Sequence, residues 1–489
     1  MLRIPESDIA EVITLREALD ARKKGRPCHV YTLAVRLKDG TIPKGFTPYA
    51  FPKIDMDSGL YRPNERPIIV GFGPAGLFCA KVLIQKGYRP IILEQGKTVA
   101  GRLADVQAIA ESGRLDECSN VLFGEGGAGA FSDGKLTARN PSPETDYFYR
   151  TLIEAGADPR IGYQAKPHLG SDPLRRIIPA MTGHLLRDGA EVYFGTQVQR
   201  LAHGQSGRII VSTNTGEFVS DCVILAVGHS ADSLYRSLLD GGVTLVKKTF
   251  AAGVRIEHPR EFIDEWQYGK GSDLALTGPA DYRLAHVVEE GRGVYSFCVC
   301  PGGEIINASS GPGRVGVNGM SWSQRDGRWT NGAIVVTVLP SDLPDHPLAG
   351  VEFRKRLEEA CHVAGPLFAP AQPVADFLAG RKTKGRQTTY RPGTFDADIS
   401  GLMPPFIVES LRAGFNKFDR QIRGFVQNGV LVAPETGTSS PVRMLRDRET
   451  FESVSFPGLF PIGEGAGYAG GIVSSAADGI RLALRFKSK

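Results

Sequence analysis

The chain has 489 residues, 42% of them hydrophobic and 23% charged, with a formal net charge of +5. That length exceeds what one core usually uses, so two or three domains are expected, and the composition is that of a globular protein rather than a disordered or fibrous one. There is no apolar run of the ~18 residues a membrane span needs, no block of like charges that would read as a nucleic-acid arm, and the seven scattered cysteines do not read as a disulfide framework.

The chain opens MLRIPESDIAEV, with acids and a proline before any apolar run, which does not read as a secretory signal. A cytoplasmic, reducing location is expected. Residues 1–62 read as a small N-terminal α/β domain, with a helical pattern from Asp8 to Lys24 and a strand from His29 to Leu37. No chemical motif falls there, so packing or partner docking is the default role. Proline-rich connectors follow at 43–67.

Residues 67–71 then read as a short buried strand, PIIVG, followed by Phe72, Gly73, Pro74, Ala75 and Gly76 and by a helical pattern that stops at Gly87. A second strand, RPIILE, ends at Glu94. Strand, G-x-G-x-x-G, helix, strand and acid form a dinucleotide-binding unit. Gly71 permits the tight turn, Gly73 lets a pyrophosphate approach the backbone, and Gly76 lets helix and strand pack closely. The helix N-terminus offers N–H groups and partial positive charge to the diphosphate. Glu94, eighteen residues after Gly76, is placed to accept the ribose hydroxyls, with Gln95 beside it. An acid at this point favours FAD or NAD over NADP, whose 2′-phosphate it would repel.

Two distant segments favour FAD. Alternating stretches at 191–202, which include Val198, and at 207–213 precede an apolar strand ending at Gly228, which returns the chain to the dinucleotide unit. Near the C-terminus Leu459–Ile462 read as a strand, Gly463 and Glu464 follow, and a helix starts near Gly470, Gly471 and Ile472. A carboxylate here can bond ribityl hydroxyls or reach the pyrophosphate through water, and the helix N-terminus can face the flavin O2 edge, where reduction places negative charge. This arrangement resembles the FAD-containing oxidoreductases of the glutathione-reductase structural superfamily, with Glu464 where that group usually has aspartate.

The stretches FGEGGAGAFSDGKLTAR (123–139), GVRIEHP (253–259), YSFCVCPGGE (295–304), VNGMS (317–321) and ETGTSSPVRMLRD (435–447) resemble those of the still uncharacterised FAD-dependent dehydrogenase family of bacteria and plastids, as does LREALDARKKG (15–25). The resemblance spans nearly the whole chain, with one departure at Gly437, where the family pattern implies arginine. It implies an α/β fold: a Rossmann-like FAD-binding domain (63–122, 171–240 and 455–489) with an inserted mixed α+β substrate domain (123–170 and 241–454).

Candidate site residues follow. In the glycine-rich loop 123–139, Gly129, Ser132, Lys135 and Arg139 are placed to run along the cofactor, and Arg102 to reach its phosphates. Cys298 and Cys300, alternate residues of a strand, share one face; they read as pocket-lining thiols or as a redox pair. Cys300, His258 and Arg443 are the candidate catalytic residues. His258 is a proton carrier or a hydrogen-bonded histidine at a strand end. Arg443 grips a substrate carboxylate or forms a domain-interface salt bridge. His229 reads as a loop cap. No metal motif stands out. A second dinucleotide unit is also missing, so NAD(P)H would visit transiently, and the electron donor or acceptor stays open. The expected function is an FAD-dependent oxidoreductase that transfers hydride between flavin N5 and a small organic substrate. The alternatives are a tRNA-modifying flavoenzyme or a binding flavoprotein with structural FAD; no membrane and no nucleic-acid partner is expected for the first reading.

Overall fold

A computed structural model describes residues 4–23, 26–137, 142–288, 291–363, 367–382 and 387–489. Its first element corrects the sequence reading. Residues expected to be helical form strand β1 (Ile9–Asp20), paired antiparallel with β2 (Cys28–Leu37). Among the described residues of 4–62 there is no α-helix, only a 3-10 turn at Glu6–Asp8 ahead of the hairpin; Lys24 lies outside the described residues. The physical reason is pairing. REALDA favours a helix in isolation, but the β-branched run Val12, Ile13 and Thr14 meets the complementary strand HVYTLAV, and cross-strand contact outweighs local propensity. The Glu17 N–H donates to the Tyr163 carbonyl at 2.8 Å, which ties the hairpin to the body.

The dinucleotide-binding layer is a five-stranded parallel sheet. Its strands are β3 (Ile68–Val70), β4 (Ile91–Leu93), β5 (Glu191–Tyr193), β9 (Val223–Leu225) and β21 (Leu459–Pro461), in spatial order β21-β9-β3-β4-β5. Helix α1 (Pro74–Gln85) follows β3, and the C-terminal helix Ile472–Leu484 packs along it. The short strands β3, β9 and β21 are buried throughout, as suits a parallel sheet covered on both faces, while the edge strand β5 is largely exposed. A three-stranded antiparallel sheet, β6 (Val198–His203), β7 (Ile209–Thr213) and β8 (Gly216–Ser220), stands between β5 and β9. Residues 142–170, expected in the substrate domain, pack instead on this layer: Phe148, Leu152 and Ile161 share one core with Phe78, Leu83 and Ile480.

A seven-stranded mixed sheet forms the second body. It comprises β11 (Phe250–Pro259), β12 (Ala285–Val287), β13 (Gly293–Pro301), β16 (Trp329–Val338), β17 (Ala369–Pro373), β18 (Thr394–Asp396) and β19 (Val430–Glu435), ordered β12-β13-β16-β11-β19-β17-β18. On central strand β11, Phe250, Ala252, Val254 and Ile256 pack in one core with Phe415 and Phe418 of helix Pro405–Gln421. The alternation therefore turns Ala251, Arg255 and Glu257 to the other face. Two antiparallel ribbons flank the sheet: β10 (Leu245–Lys247) with β20 (Val442–Met444), and β14 (Glu304–Asn307) with β15 (Val317–Met320).

Candidate functional site

At the end of β3 the chain must turn against the backbone of the neighbouring strand. Gly71 has φ +97°, and a Cβ there would lie 2.4 Å from the Ala226 carbonyl oxygen. A Cβ on Gly76 would lie 2.1 Å from the Gly71 oxygen. Gly73 differs: the nearest protein atom to its hypothetical Cβ is 3.7 Å away. The first two glycines are demanded by protein packing and the third leaves space open. That is the pattern expected where a diphosphate, rather than protein, comes close to the backbone. Gly73 caps α1 without a side-chain partner and Pro74 is the first helical residue, so the helix N-terminus is bare.

Glu94 is 4% exposed. Its carboxylate accepts from the N–H groups of Phe72 (2.8 Å), Gly96 (2.9 Å) and Gly124 (2.9 Å). It thus joins the turn before α1 to the glycine-rich loop, and keeps acceptor capacity for a ligand hydroxyl.

These elements border a cavity of about 1340 Å³. A single drug-sized ligand occupies ~300–1,000 Å³, so the space admits an extended dinucleotide with a second molecule beside it. Of the residues singled out from sequence, the cavity wall contains Gly71, Gly73, Pro74, Ala75, Glu94, Gln95, Gly129, Ser132, Lys135, Val198, Gly228, Arg443, Glu464, Gly470, Gly471 and Ile472. They come from both halves of the chain and meet where the parallel sheet faces β13 and β15. Arg139 lies outside the described residues.

Gly76 and Gly463 lie behind the wall. Gly463 donates its N–H to Asp478 at 2.8 Å, and Asp478 is held by Arg446 at 2.7 Å. This locks the strand-to-helix turn that presents Glu464. Burial pushes the Glu464 carboxyl up to about 7, with Lys248 and Arg354 opposing. His229 sits 3.4 Å from Glu464, and burial, then Arg354, pull it down to about 3, so its imidazole is neutral. His229 lines the cavity, where the sequence offered only a loop cap.

Three expectations are corrected. Arg102 does not reach the cavity: it is fully buried and donates to the carbonyls of Asn120 (3.0 Å), Val121 (3.0 Å), Glu125 (2.5 Å) and Gly127 (2.9 Å). Its fork shapes the glycine loop from behind. His258 is also fully buried away from the cavity, with Nε2 2.8 Å from the Phe425 carbonyl and its ring 4.2 Å from the Phe425 ring. Burial lowers it to about 4, which leaves a neutral core histidine and no proton carrier.

The third correction concerns the cysteines. The pairing of β13 with β16 slips between Phe297 and Cys300, and Cys298 adopts φ +43°. This bulge breaks the alternation that would put both thiols on one face. Cys298 faces the cavity and Cys300 is buried behind it. Beneath them lies Arg255, fully buried. It bonds Glu435 at 2.9 Å, Asn331 at 2.8 Å and the Cys298 carbonyl at 2.6 Å. A hydrogen bond from Cys300 outweighs burial and, with Arg255 and Lys135, brings the Cys298 thiol below the usual thiol range, while burial drives Cys300 up. Lys135 also donates to the Val299 carbonyl, clamping the glycine loop to β13.

Iodoacetamide at neutral pH is therefore expected to modify Cys298 well before Cys300. The rate should rise with pH at values below those of an ordinary thiol, because the thiolate is the nucleophile. Peptide mapping of the wild-type protein and Cys298→Ser checks this; equal labelling of Cys300 would contradict it.

Among the described residues no group of three or more His, Cys, Asp or Glu is placed to hold a metal ion, and no helix is long and apolar enough to cross a membrane.

Comparison with known proteins bears on the family of the chain. A family model described as FAD-dependent protein, C-terminal domain-like, matches residues 249–438. The chain is 38% identical over 497 residues to an uncharacterised protein of Clostridium beijerinckii, a match covering 99% of this chain and 93% of the other. Similar solved structures include a thioredoxin reductase of Lactococcus lactis, at 15% identity, 33% of this chain, 35% of that chain and a TM-score of 0.20. They also include CtdE in complex with FAD, at 12% identity, 85% and 81% coverage and a TM-score of 0.32. A third is the halogenase PltM in complex with phloroglucinol and FAD, at 13% identity, 86% and 67% coverage and a TM-score of 0.35.

Proposed function

This chain belongs to a family of FAD-dependent proteins, and on that premise we propose that it is an oxidoreductase that exchanges hydride with a small organic substrate bound in the cavity between the parallel sheet and β13. FAD is the cofactor. When bound, it supplies a two-electron centre at flavin N5. The observation that carries the reading is the cavity itself: its volume of about 1340 Å³ is walled by the diphosphate cradle on one side and by Cys298, Asn318 and Gly319 on the other.

The residues divide the work. The bare N-terminus of α1 and the open Gly73 receive the diphosphate. Glu94 accepts from a ribose hydroxyl. The N-terminus of the C-terminal helix, where a Cβ added to Gly470 or Gly471 would meet no atom within 4 Å, offers partial positive charge to the far end of the cofactor. Glu464, raised to about 7, holds or releases a proton at its carboxyl within the cavity near neutral pH. Lys135 fixes the wall that faces the substrate. NAD(P)H, in this reading, visits the substrate face transiently.

Anaerobic mixing of the purified flavoprotein with NADH, NADPH and a panel of small organic donors tests the proposal through the visible flavin absorbance. Bleaching by one donor at a rate that saturates with its concentration is expected. A bound flavin that stays oxidised with every donor, yet is reduced by dithionite, would favour structural FAD and overturn the reading.

A further inference from the structure

Five cationic side chains line the cavity. Three have carboxylate partners: Lys135 with Asp133 at 3.7 Å, Arg314 with Asp232 at 3.1 Å and Arg481 with Glu144 at 3.3 Å. The other two, Lys248 and Arg443, have no carboxylate within 4.0 Å among the described residues. Their polar contacts are neutral carbonyls: Lys248 Nζ lies 3.4 Å from the Ser440 oxygen and Arg443 Nε lies 3.4 Å from the Gly467 oxygen.

The fold holds these two cations together. β10 pairs with β20, Val246 opposite Arg443, and the Lys248 N–H donates to the Pro441 carbonyl at 3.0 Å. Burial, then the charge of Arg443, lowers the Lys248 ammonium, so the pair is half-sequestered and mutually repelling. Tyr468 underlies Arg443, 5.2 Å from the ring centre, which helps to fix the guanidinium plane. Arg443, Gly467 and Tyr468 also line a second cavity of about 330 Å³, together with Arg446 and Arg448. Glu464, itself raised to about 7, is the one carboxylate whose charge acts on Lys248, and it makes no ion-pair contact with either cation; two like charges kept close in this way are stabilised by an anion between them.

The diphosphate cradle lies elsewhere on the wall. A Cβ on Gly463 would meet Ala75 at 2.8 Å, whereas a Cβ on Gly467 would meet the Arg443 Cα at 3.0 Å. The 463–467 segment therefore separates the start of α1 from the two cations.

We propose that Lys248 and Arg443 form an oxyanion subsite that receives the carboxylate or phosphate of the molecule exchanging hydride with the flavin. The subsite rests on the function proposed above and gives it a substrate class: a small organic oxyanion. Its apolar body lies toward Tyr295 and Phe297, which line the same cavity. Arg443 supplies two parallel N–H donors and Lys248 a point charge.

The test is titration of the oxidised holo-protein with sodium benzoate and, separately, with inorganic phosphate, read as the flavin difference spectrum against a chloride control of equal ionic strength. A saturable perturbation by at least one probe is expected in the wild-type protein. In Lys248→Met and Arg443→Met it should weaken at least about tenfold, the loss of one charge-assisted contact, and it should vanish in the double variant. Arg443→Lys should restore part of it. FAD content and melting temperature are measured on every variant. Benzoate alone active identifies a carboxylate substrate; phosphate alone active identifies a phosphorylated substrate or a dinucleotide. No perturbation in the wild type, or one unchanged in the double variant, would overturn the subsite. Loss of FAD from Lys248→Met and Arg443→Met would also overturn it, because the cations would then serve the cofactor's own phosphates. A saturable perturbation in a protein whose flavin no donor reduces would leave the subsite standing and sink hydride exchange instead.

Discussion

Gly73→Val is expected to yield a folded but colourless protein, whereas Gly71→Val is expected to fail in folding. The two positions sit two residues apart in one turn, and the contrast follows from what surrounds them. At Gly73 the nearest protein atom to an added Cβ is 3.7 Å away, so valine meets only ordinary contacts and stability should change by at most about 1 kcal/mol. The isopropyl group would fill the space through which a diphosphate approaches the N-terminus of α1. FAD retention should fall by at least about a hundredfold, ~2.7 kcal/mol. At Gly71 the φ of +97° and the Ala226 oxygen at 2.4 Å make any side chain incompatible with the β3–β9 contact. Backbone strain there is of order ~1–3 kcal/mol before the clash is added. The ratio of flavin to protein absorbance, with melting followed by circular dichroism, separates the two effects. A yellow Gly73→Val protein would contradict the placement of the diphosphate.

The second large effect is expected from Arg255→Met. Arg255 and Glu435 are 0% and 1% exposed, and removing one member of a buried ion pair leaves an uncompensated charge, typically at ~3–5 kcal/mol. In the wild type, burial raises Glu435 from 4.5 to about 7, with Arg255 opposing. Without Arg255 it rises further. A carboxyl raised on folding contributes stability that is complete below its unfolded value and is lost as pH climbs through its folded value. Urea denaturation should therefore find the extra destabilisation of Arg255→Met, relative to the wild type, roughly constant below about pH 7, where Glu435 is protonated in both folded proteins, and growing above it, where only the wild type ionises Glu435 against Arg255. Arg255→Met/Glu435→Leu should recover much of the loss, since paired apolar replacement of a buried ion pair is often tolerated. A pH-independent defect would show that the damage is mere loss of packing. The same variant should slow Cys298 alkylation at neutral pH, because Arg255 helps to hold that thiol down.

What could be read from sequence tracks how local the cause is. The turn through Gly71, Gly73 and Gly76 was legible because Gly71 answers to an atom one strand over, Gly76 to one a few residues away, and Gly73 to the open space at the start of α1. Glu94 and Glu464 were legible because a strand followed by an acid needs no tertiary knowledge. Arg102 was misplaced because nothing in sequence says that its fork closes on four carbonyls of a later loop rather than on a phosphate. The alternation expected of C-x-C is interrupted by a bulge: with the positive φ of Cys298, only Cys298 reaches the cavity wall, while Cys300 stays hydrogen-bonded to it from behind. His258 has the chemistry of a proton carrier, but its surroundings are Phe262, Tyr282 and Phe425, the last 167 residues away. Lys248 carries no motif at all. It matters because β10 pairs with a strand nearly two hundred positions later, and its contact with Ser440 spans 192 residues. The N-terminal hairpin was missed for a related reason, since β2 reshapes a segment whose own propensity is helical.

The cavity beside Gly73 is expected to take up FAD, and equilibrium titration of flavin-free wild-type protein with FAD, followed by quenching of flavin fluorescence, measures that uptake. A single saturable site per chain that is competed by ADP, which shares the diphosphate, is the predicted result. No uptake of FAD by folded protein, or uptake that ADP leaves untouched, would contradict the account.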